Sequence, residues 1–219
     1  TLYAAGDLGL PATLSFLAPS GDSEGSISPS REISMKIIAA INRSLQIDLP
    51  DQIGRYDDLF NINCVGDKFS NLGVSTILFE AGHYPNDYSR NITAKHVLKA
   101  IIEAIIVISS GDYNNYSTDQ YHNIPENKKD YCDLLIKDVC IVDQQKVYDN
   151  QELIINYKEQ LIGAKVNFIP FMFDYADSWS GLSHKIINAE SLHIPRKVFF
   201  DKQKPFLLSQ LEINKLSNS

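Results

Sequence analysis

Glu80 follows the run Val74-Ser75-Thr76-Ile77-Leu78-Phe79 and leads into Ala81-Gly82-His83. A largely apolar, β-branched run of that length reads as a buried strand. The carboxylate then stands at a strand's carboxyl end, where open α/β sheets place their ligand crevice. Partial burial there would suit Glu80 to proton transfer near neutral pH. The plainer reading is a strand-end glutamate that accepts hydrogen bonds from the amides of the next turn.

Two other patterns carry less chemistry. Gly21-Asp22-Ser23-Glu24-Gly25 matches the nucleophile elbow of serine hydrolases, which needs a strand running straight into the first glycine and a helix leaving at once. Pro19-Ser20 and Ser26-Ile27-Ser28-Pro29 separate Ser23 from both, so a polar loop is the expectation. Of the histidines, only His122 has a glutamate four residues on, Glu126, and Pro125 between them opposes a helical metal pair. The reversed spacings Glu80/His83 and Glu190/His193 meet a glycine turn and Pro195 respectively. None of these makes a metal site by itself.

The surrounding pattern is α/β. Residues 11–18 read as a short buried strand and residues 19–29 as a polar loop. A helix follows, with Ser28 as N-cap, Pro29 at its first position, and Ile33, Ile37, Ile38, Ile41 and Leu45 on one face, as for a helix covering a sheet. Residues 48–71 read as a long connection. Residues 91–108 form an isoleucine-rich helix that Gly111 ends, and such a helix is expected to be buried against a sheet. Residues 113–129 read as a linker or extended loop. Beyond them, residues 134–142 and 166–175 are strand-like, and residues 153–161 fit strand or helix. The expected organisation is an α/β part over residues 1–112, the linker, and a small β-rich module over residues 130–219.

Composition narrows the partners. With 20 Lys and Arg against 27 Asp and Glu, the net charge of −7 disfavours nucleic acid and anionic membranes. The longest apolar run is far shorter than the roughly 20 residues a membrane span needs. Three cysteines without a Cys-x-x-Cys spacing fit a reducing compartment, so a cytoplasmic location is expected. The chain begins with Thr1, which suggests processing, truncation or an excerpt.

The stretches Cys64-Val65-Gly66-Asp67-Lys68-Phe69 and Gly73-Val74-Ser75-Thr76-Ile77-Leu78-Phe79-Glu80-Ala81-Gly82-His83-Tyr84-Pro85-Asn86-Asp87-Tyr88 resemble the zinc carboxypeptidase family, more closely a bacterial branch of it. Residues 12–19 and 124–129 resemble the same branch, and together the pieces cover most of residues 1–130. The resemblance implies the C-terminal part of a mixed β-sheet covered by helices. It also implies that Glu80 takes a proton from a zinc-bound water and passes it to the leaving amine, since zinc acidifies the water and a carboxylate accepts its proton.

By the same resemblance Tyr56 is the candidate for a tyrosine that closes over substrate. Asp67 falls in the loop lining the specificity pocket, and equally suits a turn beside Gly66. His83 is assigned a structural role. The family's His-x-x-Glu pair, its later histidine and its substrate-carboxylate arginines are missing from this sequence. The expectation is therefore the C-terminal half of a carboxypeptidase-like enzyme acting on a peptide or related amide, inactive alone, with Zn2+ held by the N-terminal half. Such a half should leave an apolar edge and face exposed and should associate. The rival readings are a serine hydrolase using Ser23 and a non-catalytic binding module using the Tyr/Asn-rich residues 113–121.

Overall fold

The computed structural model describes residues 2–7, 9–189 and 197–206. The chain is mixed α/β and divides into two units, the first covering Tyr3–Lys129 and the second Asp130–Ser219.

In the first unit, the strands β1 (Ala4–Ala5), β2 (Leu14–Leu17), β3 (Ile53–Arg55), β4 (Leu78–Ala81) and β5 (Asn127–Lys128) accompany the helices α1 (Pro29–Leu45), α2 (Val65–Asn71), α3 (Asn91–Ser110) and α4 (Thr118–His122). β2 is the middle strand of a three-stranded sheet, parallel to β3 and antiparallel to β4. β1 and β5 pair separately. The core joins Leu14, Phe16 and Ile53 of the sheet to Met35, Ile38, Ile41 and Leu45 of α1 and to Ala100, Ala104 and Val107 of α3.

α1 starts as its residues dictate. The Ser28 hydroxyl accepts the Arg31 N–H at 3.2 Å and Pro29 occupies the first turn, where no N–H is needed. α3 starts differently. Arg90 is left-handed at φ 59°, and the Asp87 carboxylate accepts the N–H groups of Asn91, Ile92 and Thr93 at 2.9, 2.8 and 3.0 Å. Burial alone would raise the Asp87 carboxyl pKa, but these three donors hold it below its usual value.

Four expectations need correction. Residues 48–71 hold β3 and α2, because a three-residue strand paired in parallel is too short to show as an apolar run. The strand before Glu80 is not six residues ending at Phe79 but Leu78–Ala81, so Glu80 lies inside it. β2 offers only four residues to pair with, and the Val74 N–H instead turns back to the Phe69 carbonyl at 3.0 Å.

α3 is buried only along Thr93, Ala100, Ala104 and Val107, while Leu98, Ile101, Ile102, Ile105 and Ile108 are exposed. Its buried side meets α1 and the sheet, and among the described residues no further layer covers its other side. Residues 113–129, read as a linker, belong to the first unit. They form a 3-10 turn at Asp112–Asn115, then α4 and β5, and Tyr121 and Ile124 join the core.

The second unit is one sheet of β6 (Tyr131–Asp143), β7 (Lys146–Ile162), β8 (Lys165–Ala176), β9 (Leu182–Asn188) and β10 (Lys197–Phe199). β6, β7 and β8 form an antiparallel meander, so the ambiguous residues 153–161 are strand. The free edge of β6 takes two parallel partners in succession, β9 along its first half and β10 along its second. Asp138, at φ 61°, breaks the β6–β7 register between Ile136 and Val139, and the Asn188 amide donates to its carboxylate at 2.6 Å.

Candidate active site

Alternation along the sheet separates an apolar face from a polar one. Leu14 and Phe16 of β2 lie across from Ala81 and Phe79 of β4, and the Phe16 and Phe79 rings meet edge-on at 5.3 Å in the core. The intervening residues face the other way. Gly54, Ser15 and Glu80 form one row across β3, β2 and β4, with Glu80 half-buried on the strand that has no partner beyond it among the described residues.

The row is built by a residue far away in sequence. Asn127 of β5 reaches over β3, and its amide donates to the Ser15 hydroxyl at 2.9 Å. Glycine at position 54 leaves the space that the Asn127 amide occupies, since a Cβ there would lie 1.9 Å from Asn127 Oδ1 and displace it. Tyr56 continues β3, its N–H bonded to the Phe16 carbonyl at 2.9 Å. Its ring stands edge-on to Tyr3 at 6.0 Å. Burial first, then Tyr3 and the negative charge of Glu80, raise the Tyr56 phenol above its usual value.

Asp67 is placed elsewhere. It sits buried in the first turn of α2, where its carboxylate accepts the Asn61 N–H at 3.2 Å and closes the preceding loop. Arg55, the cation next to Tyr56 in sequence, points to the helix side. There it donates to the Ile124 carbonyl at 3.0 Å, pairs with Glu126 at 2.8 Å and lies over the Tyr121 ring.

The residues after Glu80 are architectural. Gly82 donates to the Thr13 carbonyl at 2.8 Å, and a Cβ on it would be 1.7 Å from the Ala12 carbonyl oxygen. His83 is buried edge-on to Tyr88 at 4.6 Å, and its carbonyl accepts the Thr13 hydroxyl at 3.0 Å. Arg90 donates to the Ala81 and Gly82 carbonyls at 2.8 and 3.1 Å, tying the end of β4 to the start of α3.

Ser23 stands on an exposed loop, not an elbow. Residues 18–28 separate β2 from α1, and the Asp22 carboxylate, accepting the N–H groups of Glu24 and Ser26 at 3.0 Å, shapes the turn around the serine. Buried Arg31 holds the loop by donating to the carbonyls of Ala18, Gly25 and Ser26 at 3.0, 2.6 and 3.2 Å and by pairing with Asp58.

Among the described residues no three His, Cys, Asp or Glu side chains converge in a way that could hold a metal ion. His122 packs against Tyr121 and His184 stacks on Tyr131, while the Glu190/His193 pair lies outside the described residues. No described helix is long and apolar enough to cross a membrane. Sequence reasoning missed Ser15, Asn127 and Tyr3, which reach the row through long-range contacts that leave no local signal. Comparison of the chain with protein-family models, with curated proteins and with solved structures finds no match.

Proposed function

We propose that this chain supplies part of the catalytic domain of a zinc-dependent, carboxypeptidase-like hydrolase of peptide or related amide bonds. In that reading Glu80 is the general base and then the general acid. The observation that carries it is the row Gly54–Ser15–Glu80. It puts a half-buried carboxylate on the sheet face turned away from the helices, in register with Ser15 and Gly54, where its charge helps raise the Tyr56 phenol.

Glu80 would accept a proton from the attacking water and return it to the departing amine nitrogen. Tyr56, kept in its phenol form, would donate to a substrate polar group across the same face. The zinc of the resembling family polarises water and carbonyl when bound. The described residues do not fit such a metal, since they bring no ligand set together.

The ligands, and the strand that would pair with the free edge of β4, therefore fall to the proposed N-terminal half of the same enzyme. The chain alone is expected to be inactive. The sequence encoded upstream is the test. A His-x-x-Glu pair followed by a later histidine, together with release of C-terminal residues by the joined polypeptide, supports the proposal. Lack of those ligands removes it.

A further inference from the structure

α3 has two apolar faces, and the first unit covers one of them. Thr93, Ala100, Ala104 and Val107 are buried toward α1 and the sheet. Farther around the helix, Ala94, Leu98, Ile101, Ile105 and Ile108 recur at spacings of four and three residues, with Ile102 alongside. The large members are 59% (Leu98), 41% (Ile101), 48% (Ile102), 61% (Ile105) and 53% (Ile108) exposed. A row of this size, roughly 500 Å2, is an interaction patch rather than scattered surface. Its alternation of three and four is the seam of a helix pair.

We infer that the row is a homodimer seam, on which α3 of a second copy packs antiparallel. The seam is self-complementary, as a two-fold interface must be. With the axis on the row's side of the helix, level with position 103, Leu98 meets Ile108 of the second copy, Ile101 meets Ile105, and Ile102 lies near its own counterpart. Charge supports the same direction. α3 has no basic residue in its last turn, where unpaired carbonyls carry partial negative charge. Lys95, on the flank of the row, arrives at the last turn of the second copy near Ser109 and supplies the missing cation. The two rows together bury roughly 1,000 Å2, the low end of specific interfaces.

Sedimentation velocity of the full chain from about 1 to 100 µM tests this. The wild type should pass from monomer to dimer. Ile101→Glu with Ile105→Glu should remain monomeric with unchanged circular dichroism, and Lys95→Glu should weaken association about tenfold. Ile92→Glu, exposed on the opposite side of α3 from the row, should leave the dimer intact. Should the double variant misfold, Ile102→Cys in a Cys64→Ser background gives a second measure, because mild oxidation should join two copies through residue 102. A wild type monomeric at 100 µM overturns the inference. So does a dimer that survives the two glutamates, a dimer that Ile92→Glu abolishes, or a row covered only when another polypeptide is supplied.

Discussion

Asp87→Ala should be costly although Asp87 lies outside the predicted helix and outside the Gly54–Ser15–Glu80 row. The wild-type carboxylate satisfies three N–H groups that a helix start otherwise leaves unpaired, and Thr93 among them is fully buried. Loss of a cap costs about 1 kcal/mol, and a buried donor left without a partner adds about 1–2 kcal/mol. The expected loss is therefore about 2–3 kcal/mol, with Asp87→Asn near half of it because one acceptor oxygen is kept. Far-UV circular dichroism in a urea titration reads it directly, since all of the described helices belong to the first unit.

The loss should depend on pH with a definite sign. The folded Asp87 pKa is depressed, so its contribution is fully present above the unfolded carboxyl value near 3.9 and fades as pH falls through the lower folded value. The gap between wild type and Asp87→Ala should therefore narrow in acid. A gap below about 0.5 kcal/mol at neutral pH, or one that widens in acid, refutes the reasoning.

Other substitutions probe other links. Gly54→Ala forces its Cβ onto the Asn127 side chain and should cost about 1–3 kcal/mol. Asn127→Ala in the same chain should recover much of that, and a double-mutant cycle showing additivity would contradict the contact. Gln144 and Gln145 turn the β6–β7 hairpin with φ of 44° and 72°, the signs a type I′ turn requires, so Gln144→Asn with Gln145→Gly should raise stability by about 1 kcal/mol; an unchanged thermal midpoint would count against that geometry. Burial pushes the Cys132 thiol up to about 11 while Cys64 is exposed, so iodoacetamide at mildly alkaline pH should modify Cys64 first and Cys132 only on unfolding. Equal labelling of both in the folded protein would contradict the burial.

Much of the fold was legible where the physics is local. Ser28-Pro29 marks the start of α1, Gly111 ends α3 in a left-handed cap, and β6 and β8 show as strand-like runs, β-branched in the first and aromatic in the second. Local pattern fails where partners decide. β3 is three residues long and exists because β2 lies beside it. The strand at Glu80 is trimmed because β2 is short. Tyr121 looked like part of a polar linker, yet its hydroxyl accepts the Ala18 N–H and its ring is buried. The site follows the same rule. Glu80 and Tyr56 were visible as types near the right elements. The Asn127–Ser15 bond spans 112 positions of sequence and leaves no trace in either neighbourhood.

The most direct measurement compares wild type with Glu80→Gln in the proposed intact enzyme, reading kcat on a C-terminally unblocked peptide alongside bound zinc. If Glu80 carries the proton, kcat falls by about 10²–10⁴ while zinc stays bound at the wild-type ratio. Turnover within a few-fold of wild type, with zinc in place, would falsify the role assigned to Glu80.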